Sequence, residues 1–190
     1  MPVTGWAGLE DCLASIVECR PTAVLDAGSG SGLWGCLLRE YLDVTAGRPR
    51  PEQWRTRIDA IEIDPAQVQR YARALYTEVL IGDVREVVPR RAAEVQYDVI
   101  LFGEVIERLY KDDGRALLEA AAGLAERLVV LRIRFAADGW SAGEPPGEPS
   151  DRPLSWWSAK DFLDRTFAGH GCQVREYDRG SCALVTVAAG

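Results

Sequence analysis

The sequence predicts an open α/β sheet of about seven strands, mostly parallel, with helices on both faces and a C-terminal antiparallel hairpin. Three observations carry this. Short apolar runs of strand length alternate five times with segments of helical spacing. The last two strands are separated only by the few residues around Arg179 and Gly180, a gap that closes them as a hairpin. The 190 residues hold no repeat and no break in composition, so residues 1–190 read as a single domain.

The elements follow in order. Leu9, Cys12, Leu13, Ile16 and Val17 recur at helical spacing, so a leading helix spans 9–19 and Pro21 ends it. Residues 1–20 are expected to form a helical lid. "TAVLDA" (22–27) is a buried strand, and from Gly32 the apolar positions Leu33, Trp34, Leu37, Leu38, Tyr41 and Leu42 mark one face of a helix. "TAGRPRPEQW" (45–54) is a loop rich in Pro and Gly, and "RIDAIEID" (57–64) is the second strand. Pro65 opens a helix with Val68, Tyr71, Ala72 and Leu75 on one side. "EVLIGD" (78–83) and "YDVILF" (97–102) are the third and fourth strands. "KDDGRALLEAAAGLAER" (111–127) is a helix capped by Asp112 or Asp113, and "LVVLRIRF" (128–135) is the fifth strand. Residues 136–157 form a long substrate-side loop carrying Trp140, Trp156 and Trp157. Ser158 and Asp161 stand at capping-box spacing at the head of a helix over 158–167. "CQVREYD" (172–178) and "SCALVTVA" (181–188) close the chain.

Composition narrows the function. With 47% hydrophobic and 27% charged residues the chain reads as globular. The 29 acids against 22 bases, a net charge of -7, speak against a surface that tracks nucleic-acid phosphates. No apolar run approaches the ~20 residues of a membrane span. "MPVTGWAGLEDC" lacks the basic and apolar segments of a signal peptide. The five cysteines are widely spaced and odd in number, and they read as reduced thiols of a cytoplasmic protein. His170 is the single histidine, and no clustered metal ligands are expected.

In open α/β sheets ligands bind outside the carboxyl ends of the strands, where the strand order reverses. The stretch "LDAGSGSGLWG" (25–35) lies at such an end and can be read in two registers. Gly30, Gly32 and Gly35 match GxGxxG, the turn that receives a dinucleotide pyrophosphate. Asp26, Gly28, Gly30 and Gly32 match D-x-G-x-G-x-G. An acid at the mouth of the turn repels a pyrophosphate and suits a cationic ligand, which disfavours the reading as a nicotinamide-dependent oxidoreductase. Glu62, at the end of the second strand, can accept hydrogen bonds from both hydroxyls of a ribose.

In its second register this turn resembles that of the class I S-adenosylmethionine-dependent methyltransferases, which have a Rossmann-like sheet. "IEIDP" (61–65), "GDVRE" (82–86) and "YDVILFGEVIERL" (97–109) look like the second to fourth motifs of that family, in the right order. The resemblance covers roughly residues 20–135, with a weaker one at "RPLSWWSAKDF" (152–162). It implies S-adenosylmethionine as cofactor, held by Asp26, Gly28, Ser29, Gly30, Glu62, Ile63, Asp83, Val84 and Gly103. Ile63 would pack on the adenine, Asp83 would accept from its amino group, and Val84 would offer its backbone N–H. Glu104 and Glu107 match the acids of the fourth motif and are the catalytic candidates, as a base or orienting groups; the alternative is that they are first-turn acids favoured by the helix dipole.

Two departures stand out. Asp26 and Glu62 are farther apart than the roughly 20 residues usual for such a unit, and the excess is assigned to the loop 45–54. Arg108 stands where the family pattern has His, and an arginine cannot serve as a base. Phe102-Gly103-Glu104-Val105 is not the N/D-P-P-Y/F sequence with which nitrogen methyltransferases grip a planar nitrogen. The resemblance thus implies methyl transfer to a small molecule, in specialised metabolite biosynthesis, without a nucleic-acid or membrane partner. The alternative is a protein of this fold that binds the cofactor but serves as a partner subunit or runs a non-methylating reaction. His170 is expected at the sheet edge away from the ligand, Arg134 near the carboxyl end of its strand, and Trp6 with the N-terminal helix over the pocket.

Overall fold

A computed structural model describes residues 7–68, 70–134, 154–168, 170–177 and 182–188. Trp6, Trp140 and most of the 136–157 loop lie outside the described residues. The seven strands are β1 (Ala23–Ala27), β2 (Arg57–Glu62), β3 (Glu78–Ile81), β4 (Tyr97–Gly103), β5 (Ala125–Arg134), β6 (Gly171–Tyr177) and β7 (Cys182–Ala188), in one sheet ordered β3-β2-β1-β4-β5-β7-β6. The first five run parallel, and β7 pairs antiparallel with both β5 and β6. The chain builds outward from β1 to β3, then returns to lay β4 on the other flank of β1. The strand order therefore reverses between β1 and β4, and the carboxyl ends of these two strands flank the switch point.

Side chains alternate across each strand, and the two resulting apolar faces each take a layer of helices. On one face α1 (Leu9–Cys19), α2 (Leu33–Arg39) and α3 (Arg70–Arg73) bring Ile16, Trp34, Leu38 and Ala72 onto Val24, Ile58 and Leu101. On the other, α4 (Val84–Glu94) and α5 (Lys111–Leu124) bring Val88, Leu118 and Ala121 onto Leu25, Ile100 and Val129. Phe162 and Phe167 join that second core through the short α6 (Ala159–Asp161) and the wide turn Phe162–Thr166. No described helix is long and apolar enough to cross a membrane.

One helix is unforeseen and three local expectations are corrected. The helix α4 has no counterpart in the sequence pattern; Pro89 sits inside it and only Val84, Val87 and Val88 are buried, so its apolar stripe is too narrow to read. The helix expected from Pro65 shrinks to the single turn α3. The N-cap of α5 is Tyr110, without a side-chain cap, while Asp112 and Asp113 lie in its first turn. The helix expected over 158–167 is α-helical for one turn only, though its capping box forms, with Ser158 N–H donating to Asp161 at 2.9 Å.

The loop 45–54 is tied down by a buried carboxylate. Asp43 accepts from Arg39 at 2.8 Å, from Arg48 at 2.8 Å and from the backbone N–H of Arg55 at 2.9 Å. Burial alone would raise its pKa, but these donors hold it below the usual carboxylate value. Trp54 stacks on the Arg39 guanidinium at 4.4 Å. The loop precedes β2 and so lies at the amino ends of the strands, opposite the ligand edge.

Candidate functional site

The glycine turn leaves β1 and lies against two neighbouring elements. Gly28 adopts φ +99°, and a Cβ there would meet Val105 Cγ2 at 2.1 Å, so only glycine fits between the turn and the segment after β4. Gly28 N–H and Ser29 N–H both donate to Ile61 O at 2.9 Å, which fastens the turn to the end of β2. Ser29 is buried. Around the Cβ position of Gly30 no heavy atom lies within 4 Å, so the turn opens to one side there.

Glu62 ends β2 and faces this turn. Its Oε2 accepts from Gly30 N–H at 2.8 Å and its Oε1 from Asp64 N–H at 3.0 Å. A carboxylate has about four acceptor positions, so both oxygens keep capacity for a further donor. Ile63 follows with 66% of its surface exposed, an apolar side chain next to a fixed acid. The exposed Tyr71 reaches the turn through its hydroxyl, which donates to Ser31 O at 3.1 Å.

Asp26 sits deeper than an acid at a pocket mouth. It is fully buried, Oδ2 accepts from the Tyr76 hydroxyl at 2.6 Å, and Oδ1 has no partner among the described residues. Burial raises its pKa to about 7; the Tyr76 hydrogen bond works against this, and the charge of Glu62 adds to it.

Asp83 stands after β3, where it caps α4 by accepting from Arg85 N–H at 2.9 Å. The Arg85 guanidinium pairs with it at 2.6 Å and holds its pKa below the usual value. The same guanidinium reaches Asp113 at 2.8 Å. Val84 begins α4 and is buried in the core. Gly103 ends β4, and a Cβ on it would meet Trp34 Nε1 at 2.2 Å, so the indole lies across the strand end.

The two candidate catalytic acids diverge. Glu104 adopts φ +59°, unusual for a residue with a side chain, and its carboxylate pairs with Arg132, both side chains being buried. Arg132 also donates to Ala7 O at 3.1 Å, tying the segment before α1 to the end of β4. Arg132, a residue of the strand β5, is held in this buried pair. Glu107 is buried in the turn Ile106–Arg108, and its backbone oxygen accepts from Leu154 N–H at 2.7 Å and Ser155 N–H at 3.1 Å. Arg108 donates to Glu104 O at 3.2 Å.

The remaining candidates lie away from the turn or in the core. Trp157 is buried, stacked on Phe162 at 5.0 Å between ring centres, and Trp156 is partly exposed beside it. His170 packs edge-on against Phe167 just before the edge strand β6. The side chain of Arg134 lies outside the described residues. Tyr76, and Trp34 beyond its place on a helix face, are not among the sequence candidates, yet they stand against Gly35 and Gly103. The available signal was the glycines themselves, since a glycine in a helix or at a strand end marks a close approach.

Glu62, Asp26, Ile63 and the open side of Gly30 thus gather at the switch point. The arrangement offers the Glu62 carboxylate, a second acid buried behind the turn, backbone close approach and one apolar platform. It is suited to a nucleoside with vicinal hydroxyls and a cationic group.

No family model matches the chain, and no curated protein matches its sequence. Solved structures do match its fold. An O-methyltransferase family protein from Burkholderia thailandensis superposes with a TM-score of 0.63 at 13% identity, over 95% of this chain and 56% of that one. This chain thus spans little more than half the length of that protein. The methyltransferase domain of bacterial CtHen1 gives 0.65 at 16% identity, over 96% of each chain. Magnesium protoporphyrin IX methyltransferase from Synechocystis PCC 6803, with S-adenosylhomocysteine bound, gives 0.60 at 14%, over 96% of this chain and 84% of that one. The fold is that of the class I S-adenosylmethionine-dependent methyltransferases.

Proposed function

We propose that this chain is a cytoplasmic enzyme that transfers the methyl group of S-adenosylmethionine to a small-molecule acceptor, in the biosynthesis of a specialised metabolite. The observation that carries the reading is the Glu62 carboxylate, held by Gly30 N–H at 2.8 Å and Asp64 N–H at 3.0 Å beside the open side of the turn. The residues fit the cofactor in two further respects. Asp26 Oδ1 is a buried acceptor without a described partner, which suits a cationic rather than a phosphorylated ligand. Ile63 is an exposed apolar side chain where a planar base needs a platform.

On this reading Glu62 accepts from the ribose hydroxyls, Ile63 lies under the adenine, and Gly28, Ser29, Gly30 and Gly103 let the backbone come close. Asp83 and the Val84 backbone N–H would meet the adenine edge. The cofactor supplies an activated methyl carbon, so the protein has chiefly to align the acceptor and keep water out. Arg132 neutralises Glu104 and fixes its direction, so Glu104 orients the acceptor rather than removing its proton. Glu107, buried in the turn Ile106–Arg108, would support Glu104 from behind.

One observation favours the second reading, a cofactor-binding partner subunit or a non-methylating enzyme: Glu104 is already ion-paired with Arg132. Formation of S-adenosylhomocysteine together with a methylated product separates the two. The primary reading is tested by calorimetric titration with S-adenosylhomocysteine, with NAD in parallel, on wild type and Glu62→Ala. Micromolar binding of the first ligand alone, weakened about 100-fold in the variant by loss of two charge-assisted hydrogen bonds, is expected. Absence of binding, or tighter binding of NAD, overturns it.

A further inference from the structure

Tyr76 stands behind the glycine turn, in the connection from α3 to β3, and it is nearly fully buried. Its hydroxyl makes two hydrogen bonds that join separate parts of the site. It donates to Asp26 Oδ2 at 2.6 Å, and it accepts from the backbone N–H of Gly35 at 3.1 Å. Gly35 is what lets the phenol in: a Cβ there would meet Tyr76 Cζ at 2.5 Å. The glycine that completes GxGxxG in the sequence therefore serves the tyrosine and not a ligand phosphate.

We propose that Tyr76 is a positioning residue of the nucleoside site, fixing Asp26 Oδ2 and the first turn of α2 together so that Asp26 Oδ1 is left to answer a cationic ligand. This rests on the reading of the site as an S-adenosylmethionine pocket. The ring fills space between α2 and the sheet, but the hydroxyl is not required for filling; a phenylalanine would pack as well. Its function is to keep one carboxylate oxygen occupied and the other unpaired.

The consequence is a proton-linked affinity. The groups facing Asp26 are Glu62 from β2, Tyr76 from the α3–β3 connection and Cys12 from α1. Burial pushes the Cys12 thiol up to about 12 and the Tyr76 phenol well above its ordinary value, so neither changes charge near neutrality. Asp26, raised to about 7 by burial, does. Its anion attracts a cationic ligand and its neutral form does not, so affinity rises with pH through this range. The tyrosine hydrogen bond lowers that pKa, and its removal must move the rise to higher pH.

The experiment is calorimetric titration of the full chain with S-adenosylhomocysteine, whose α-ammonium is the cationic group that would answer Asp26, from pH 6 to 8.5, on wild type, Tyr76→Phe, Gly35→Ala and Asp26→Asn. Wild-type affinity should rise about tenfold from pH 6 to 8, as expected for one linked proton. Tyr76→Phe should bind about tenfold more weakly at pH 7, as expected for loss of a charge-assisted hydrogen bond, and recover above pH 8. Gly35→Ala should shift the profile the same way, because its methyl displaces the phenol while the hydroxyl remains. Asp26→Asn should lose the linked step. A loss in Tyr76→Phe that is the same at every pH, or no loss at all, makes the phenol mere packing and overturns the inference while the pocket stands. Wild type that binds at no pH overturns the pocket reading, and this inference with it.

Discussion

Asp26 is the residue whose surroundings differ most from what its position in the chain suggests. As a letter in D-x-G-x-G-x-G it marks an acid at a turn; in the fold it is fully buried and bound to Tyr76 at 2.6 Å. Its pKa is raised to about 7, against an ordinary carboxylate value of about 3.9. Between those values the folded chain holds a proton that the unfolded chain releases, so this group's contribution to stability declines as pH rises from 4 to 7. Asp26→Asn should therefore remove a falling limb from the stability profile, on the order of a few kcal/mol between pH 5 and 7.5. Urea unfolding at those two pH values reads it, and an unchanged slope contradicts the burial argument. Glu62 was more legible. It ends a strand in the second motif, and it also ends the strand in space, with both oxygens held by backbone N–H groups. Which oxygen meets which donor depends on the turn geometry, which no residue type encodes.

At the scale of elements, strands were legible and helices less so. The parallel strands β1, β2 and β4 are apolar runs covered on both faces, and such runs survive in the sequence whatever covers them. The helix that did not show is α4, with its internal Pro89, and the one expected from Pro65 proved to be only the single turn α3. The loop 45–54 is legible as a loop from its prolines and glycine and as an insertion from the Asp26–Glu62 spacing, but its anchoring is not, because Asp43 gathers donors from Arg39, Arg48 and Arg55 across the insertion. That cluster belongs to the loop and not to the ligand edge. Asp43→Asn, which leaves Arg39 without its buried partner, should cost about 3–5 kcal/mol in unfolding free energy and leave the affinity for S-adenosylhomocysteine within about twofold. A large loss of affinity in the folded variant would show that the loop reaches the site.

For the whole molecule, the order β3-β2-β1-β4-β5-β7-β6 is what makes the motifs one site. Residues from 26 to 104 converge because every parallel strand delivers its carboxyl end to the same edge, and the reversal between β1 and β4 opens a crevice there. Alternation of strands and helices was enough to foresee that edge. What it could not foresee is the second layer of contacts behind it, Tyr76 on Asp26 and Arg132 on Glu104, which join elements by shape and charge rather than by sequence period. The central claim is that this crevice holds the adenosyl group of the cofactor with its ribose on Glu62. A crystal structure of the chain with S-adenosylhomocysteine tests it most directly. The account predicts both ribose hydroxyls on the Glu62 carboxylate, the adenine against Ile63 and the backbone of Gly30 beside the ligand. A ligand bound elsewhere, or one at this edge with Glu62 turned from the ribose, would contradict it.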